Sequence, residues 1–474
     1  MLRRLVPLAA FACGCAFAQT APLPAETAIH ADQAAPYLDD LSERTFKFFW
    51  DTANPANGLV PDRFPTPSFS SIAAVGFGLT AYPIGVERGY VTRAAARARV
   101  LATLRFFRNA PQGRAAQGMS GYKGFFYHFL DMKTGARSSN SELSTVDTAL
   151  LLGGVLYVQS YFDGPERDER EIRRLADEIY RRVDWRWAQN HGPAISHGWN
   201  PEQGMLPYDW RGYSEAMLVY VLALGSPTHA VGADAWATWT ETYDKTWGKQ
   251  YGQEYLGFAP HFGHQYSQVW IDFRGIQDSY MKGRGIDYFE NSRRASYAQQ
   301  AYAMVNPMAC KGYGRNLWGV TASDGPADIV IDDGARKREF YSYAGRGMGG
   351  AATYDDCTIA PTAAAASIAF APEIAIAAIV DMRNRYGDQI YGKYGFLDAF
   401  NPTFDFDAKL ANGRRVPGVG WVDTDYLGID QGPILAMLEN YRGDTVWRTM
   451  RNNAYVRAGL LKAGFRGGWL GGAR

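Results

Sequence analysis

The chain has little of what would commit it to nucleic acid, membrane or metal. Its formal net charge at pH 7 is only +1, whereas a nucleic-acid partner calls for a basic chain or patch. After the N-terminal segment no apolar run approaches the ~18 residues that a membrane span needs. Histidine is scarce, with 7 in 474 residues. There is no HExxH and no Cys/His cluster, so no zinc site, and no metal or cofactor of any kind, is expected. No GxSxG elbow is present. Gly283-Arg284-Gly285 and the Gly345–Gly350 stretch follow no strand pattern, which leaves little case for a phosphate cradle. Heptads, tandem repeats and low-complexity linkers are also lacking.

What is abundant is aromatic side chain, with 13 Trp and 29 Tyr. Such rings either stack on the C–H faces of sugars or fill a large core, and composition alone weighs both equally.

The N-terminus is patterned. Arg3 and Arg4 precede an apolar run from Leu5 to Phe17, and Ala16-Phe17-Ala18 gives a small-x-small site before Gln19. This predicts a cleaved secretory signal over residues 1–18. Cys13 and Cys15 raise a lipoprotein alternative, but neither has Leu three places ahead of it. Residues 19–35, rich in Ala, Pro and Thr, read as a loose lead-in, and residues 36–474 as a single domain. In an oxidising compartment Cys310 and Cys357 either pair or remain buried thiols. We expect the pair, because both fall in a Gly-rich region where a covalent staple would help most.

Helices of two kinds follow one another. Amphipathic, charged stretches are Leu41–Asp51, Thr92–Arg108, Arg167–Trp187, Ala233–Trp247, Pro372–Tyr386 and Asp444–Val456. Stretches apolar on nearly every face are Ile72–Ala81, Leu143–Val158, Glu215–Leu224, Ala295–Val305, Thr362–Phe370 and Gly432–Leu438; such helices must be buried. The alternation predicts an all-α fold, an (α/α)6 barrel with an inner and an outer ring. It breaks between Val305 and Thr362, where an outer helix is missing from the pattern. In such a barrel the inner helices run in parallel, so the loops entering them share one end. Those loops are long and aromatic: Gly118–Asn140, His191–Arg211, Tyr255–Lys282 and Asn306–Pro361. Long structured loops tend to carry function.

Two carboxylates stand at inner-helix entrances. Glu142 lies in Ser139-Asn140-Ser141-Glu142, and Glu215 follows Trp210-Arg211-Gly212-Tyr213-Ser214. Glycosidases need such a pair, one acid for the leaving oxygen and one carboxylate for water or the sugar carbon. The plainer account of Glu142 is a capping box with Ser139. The plainer account of Glu215 is a favourable charge in a helix's first turn, where the dipole lowers its pKa; desolvation by Trp210 and Tyr213 would oppose that. Asp147, five residues past Glu142, reads as a third candidate that bonds within the helix ring. Asp272 beside Arg274, and Asp423 and Asp425, are further candidates with ion pairs or caps as their plainer roles.

Several blocks resemble the glucoamylase-like family that includes glycoside hydrolase family 144. They are Gly124–Gly135 with Ser141–Thr148, His264–Gly275, Gly285–Arg294, Trp318–Pro326 and Gly428–Pro433. The resemblance implies the (α/α)6 barrel, hydrolysis of linear or cyclic β-1,2-glucan and a periplasmic setting. By motif, Glu215 resembles the family's general acid and Glu142 its second essential acidic residue, in enzymes that invert and whose base can reach water indirectly. Tyr208, Trp210, His264, Tyr266, Asp147, Asp272 and Arg274 are the expected sugar contacts. Cys357 after Asp355-Asp356 departs from the small residue expected there. A monomer is expected. Two other classes stay open: a sugar-binding protein on a hydrolase scaffold, which retention of both glutamates disfavours, and a polysaccharide lyase working through Tyr or His, which ultraviolet-absorbing products would reveal.

Overall fold

The computed structural model describes residues 31–332, 334, 336–349 and 353–471. The expected signal segment and most of the lead-in lie outside the described residues. The fold is helical. Its α-helices are α1 (Ala31–Thr52), α2 (Ile72–Glu87), α3 (Arg93–Asn109), α4 (Thr145–Tyr161), α5 (Arg167–Arg181), α6 (Met217–Gly225), α7 (Asp234–Thr240), α8 (Tyr266–Trp270), α9 (Ser279–Arg284), α10 (Tyr288–Val305), α11 (Pro361–Ala365), α12 (Pro372–Tyr386), α13 (Gly428–Gly443), α14 (Thr445–Met450) and α15 (Ala454–Lys462). α1 starts at Ala31, inside the stretch that the sequence reads as a lead-in. Among the described residues no helix is long and apolar enough to cross a membrane.

The apolar helices are buried as their sequences require. Every residue of α6, α8 and α11 is buried, as is nearly all of α2, α4 and α13. In sequence around the core, α11 packs on α13, α13 on α2, α2 on α4 and α4 on α6. Ser267 ties α8 to α6: its Oγ donates to Glu215 O at 2.8 Å and accepts from Leu218 N at 3.1 Å. Gln265, just before α8, ties it to α11 by donating to Ala363 O at 2.9 Å.

Backbone contact sets the closest of these packings. A Cβ on Gly76 of α2 would lie 2.3 Å from Leu150 O of α4, and one on Gly154 of α4 would lie 2.1 Å from Gly76 O. Glycine at both positions lets the two helices approach closely enough to bury apolar surface on every face. The amphipathic helices cover this core. α1 lies on α2, α12 and α13, α3 on α2 and α5, α5 on α4, and α12 on α11. α7 lies over α6 through Trp239 stacked on Tyr220, with ring centroids 5.5 Å apart.

The structure differs from the helix reading most at Ala295–Val305. This stretch is the C-terminal half of the longer α10, and its Met304 and Val305 are exposed. The fully buried helix before it is α8, only five residues long. Asp444–Val456 divides into α14 and the start of α15, with Asn453 capping the latter. Cys310 and Cys357 are joined in a disulfide.

The long loops are built, not loose. Gly121–Tyr122, Phe125–Tyr127, Leu143–Ser144, Gly198–Asn200 and Gly204–Met205 form one antiparallel five-stranded sheet in that order. It joins the 118–140 and 191–211 loops into one wall beside the entrance to α4.

Candidate active site

The start of α4 decides how its carboxylates point. Its N-cap is Ser144, whose Oγ accepts from Asp147 N at 3.1 Å and donates to Asp147 Oδ2 at 2.5 Å. The capping pair is thus Ser144 with Asp147, one turn later than the Ser139–Glu142 box that the sequence offered. Leu143–Ser144 is strand, and Glu142 extends it. Tyr127 pairs with Leu143, so the next residues out, His128 and Glu142, face each other. His128 N donates to Glu142 O at 2.9 Å, and Nδ1 of its ring lies 2.9 Å from Glu142 Oε1. Its Nε2 lies 3.5 Å from Asp147 Oδ2.

One imidazole therefore bridges two carboxylates. Burial disfavours a charged His128, but Asp147 and Glu142 outweigh it and raise its pKa to about 9. Burial pushes Glu142 up, yet the hydrogen bond and charge of His128 hold it below the usual carboxylate range. Donor atoms of His128, Glu142 and Asp147 lie within 4.8 Å of one another. His128 thus stands in hydrogen-bonding and ion-pairing reach of both carboxylates.

Glu215 sits on the turn that leads into α6. It is 8% exposed, and its Oε2 has no hydrogen-bond partner. Burial raises its pKa to about 7, its own backbone N–H opposes that, and the charge of Asp147 adds to it. The helix start alone would have lowered it; desolvation prevails.

Asp147 and Glu215 line the same cavity, of about 390 Å³. Its wall gathers the N-terminal ends of the buried helices: Ser71 before α2, Val146 and Asp147 of α4, Glu215 before α6, Tyr266 of α8, and Leu427 and Ile429 at α13. Thr362 of α11 adjoins them, its hydroxyl donating to Asp430 O at 3.2 Å. His128, Asp62, Arg63, Phe69, Phe262 and Tyr343 complete much of the wall. None of these six was among the site residues expected from sequence. His128 lies within the Gly124–Gly135 block that carries the family resemblance, but only the strand register shows that it meets Glu142.

The other expected residues are placed as follows. Tyr266 lines the cavity and donates from its hydroxyl to Ile429 O at 3.1 Å. Glu142 meets the cavity through His128 and does not itself line it. Trp210 stacks on His197 at 3.7 Å and donates to Thr145 Oγ1 at 3.0 Å, which braces the α4 entrance from behind. Tyr208 is 67% exposed and outside the cavity. His264 is buried against Tyr213 and Phe258 O, and burial lowers its pKa to about 3, so it is a neutral packing residue.

Asp272 and Arg274 are not brought to the cavity. They follow the C-terminus of α8, whereas the cavity collects N-termini. Asp272 accepts from Arg274 Nε at 2.7 Å and Arg451 Nε at 2.6 Å, and Arg274 also holds Asp444 at 2.8 Å. The network fastens α14 to the segment after α8.

Residues 207–454, more than half of the chain, match the Glycoamylase family, described as "Putative glucoamylase". The chain belongs to this family. The family match carries Glu215 and Tyr266, while His128, Glu142 and Asp147 lie N-terminal to it. Across a wider span the chain is 28% identical, over 459 residues and 90% of its length, to an exo β-1,2-glucooligosaccharide sophorohydrolase (non-reducing end) of Parabacteroides distasonis. The chain spans 57% of that relative's length. An endo-β-1,2-glucanase of Chitinophaga pinensis, solved with sophorotriose and glucose, superposes with a TM-score of 0.77 at 27% identity, covering 92% of this chain and 99% of that one.

Proposed function

We propose that this chain is a glycoside hydrolase of β-1,2-glucan in which Glu215 is the general acid. The observation that carries the reading is the state of Glu215: a buried carboxyl, protonated up to about pH 7, with an oxygen free of partners inside a cavity shared with a second carboxylate. A group of this kind can donate a proton to a glycosidic oxygen near neutrality. The activities of the two relatives supply the substrate class. We read the six buried helices and their six covering partners (α1, α3, α5, α7, α10 and α12) as an (α/α)6 barrel, with the cavity at the mouth of its inner ring.

The partner carboxylate is Asp147, which faces the cavity directly. Glu142 is linked to it through His128, whose hydrogen bond and charge hold Glu142 below the usual carboxylate range. Water activated at this side would attack the anomeric carbon while Glu215 protonates the departing oxygen. Inversion is expected, as in the enzymes that the sequence motifs resemble. Export to the periplasm belongs to the same proposal; Arg3, Arg4, the run to Phe17 and the Cys310–Cys357 disulfide support it.

A sugar-binding role without catalysis is disfavoured, because binding alone gives no reason to bury an unpartnered acid. The test is product analysis on linear and cyclic β-1,2-glucan beside β-1,3- and β-1,4-glucans. Saturated β-1,2-oligosaccharides from the first pair alone support the proposal. Cleavage of another linkage, or products absorbing in the ultraviolet, refutes it.

A further inference from the structure

Behind the cavity wall lies a second group of carboxylates that the proposed chemistry does not use. Asp324 ends the strand Ala322–Asp324, Asp398 lies on the link between the strands Gly395–Phe396 and Phe400–Asn401, and Asp423 follows the strand Gly420–Val422. All three are at most 2% exposed, and an oxygen of each lies within 4.8 Å of the others. Asp430, in the first turn of α13, is 4% exposed and stands against Asp398.

Each carboxylate is oriented by one side only. Asp398 Oδ2 accepts from Asp324 N at 2.8 Å, and Asp423 Oδ1 accepts from Thr424 N at 2.5 Å and Asp425 N at 3.2 Å. The opposite oxygen of Asp423, Oδ2, is buried with no hydrogen-bond partner, while the remaining oxygens of Asp398 and Asp430 have only each other's carboxyl to face. Buried polar atoms are almost always partnered, and buried charges are paired or coordinate metals. Positive charge nearby is short. Arg63 reaches Asp324 at 2.5 Å but is shared with Asp62. Arg346 is committed to Asp356 at 2.7 Å.

We propose that Asp324, Asp398 and Asp423, with Asp430 beside them, hold one hard divalent cation, calcium or magnesium. The donor set is all oxygen, which suits these ions and not zinc or copper. Carboxylates buried this close together repel one another. A cation relieves that repulsion. It would also order the cavity wall, because Asp324 pairs with Tyr343 across two strands and holds Arg63, and both of those line the cavity.

The test uses the full chain, stripped with EDTA and dialysed. Calcium and magnesium chlorides are titrated calorimetrically, bound metal is counted by mass spectrometry, and Tm is followed. One calcium or magnesium per chain is expected, with Tm raised by about 3 °C at a hundredfold excess over Kd. Asp398→Asn and Asp423→Asn should lose that binding at least tenfold, while Glu142→Gln, in the other acidic group, should keep it. Should wild type bind neither ion at millimolar concentration, with Tm indifferent to both ions and to EDTA, the cluster is a proton-sharing one and the proposal falls. This outcome is independent of whether the chain hydrolyses glucan.

Discussion

His128 and Glu142 face each other across paired strands, with Nδ1 2.9 Å from Oε1. The contact makes the charge of one depend on the other. Removing the ring by His128→Gln takes away both the hydrogen bond and the positive charge that hold Glu142 down, so burial is left to push Glu142 up. The acidic limb of the pH–kcat/KM profile should then move to higher pH. An unmoved acidic limb would show that Glu142 has no part in the titration.

Asp147 acts on Glu215 in the opposite sense. Its negative charge helps to keep the Glu215 proton on, so Asp147→Asn should lower the Glu215 pKa from about 7. Protonated Glu215 is the active form, and its loss as pH rises sets the basic limb. The residual activity of the variant should therefore fall off at lower pH than in wild type. A basic limb that stays in place or moves up contradicts the shared cavity electrostatics.

Gly154→Ala tests the packing that builds the cavity. The new Cβ would meet Gly76 O at 2.1 Å, a backbone atom that cannot rotate away. Overpacking of this kind costs about 1–3 kcal/mol. Tm should drop by about 1–3 °C in thermal melts, and kcat should fall as α4 shifts Asp147. A variant as stable as wild type would mean that the two helices are not held at this distance.

Much of this arrangement was legible in the sequence. Apolar runs carrying small residues marked the buried helices, since nothing polar can face a core from every side. The parallel run of those helices foretold a shared mouth, and Glu215 stands in it. Short elements hid the rest. α8 has five residues inside a loop motif, too few for a period to show, so Ala295–Val305 took its place in the reading. The sequence offers a cap at Ser139, five residues before the Ser144 that caps α4, and so gives Glu142 a capping role it does not have. Asp272 and Arg274 sit in a motif strong enough to suggest contact with sugar, yet α8 carries them past its C-terminal end into an ion network. The register that sets His128 against Glu142 comes from two strands of only three and two residues, too short for an alternation to show in the sequence.

The central claim is that Glu215 is the general acid. Glu215→Gln keeps the shape and burial of the side chain but removes the acidic proton. Kinetics on β-1,2-glucan and on a β-glucoside with a good leaving group, measured side by side, test it most directly. A loss of about 10²–10⁴ in kcat on the natural glucan is expected, with a much smaller loss on the activated substrate and KM little changed. Hydrolysis of natural β-1,2-glucan by the variant at near wild-type rate would contradict it.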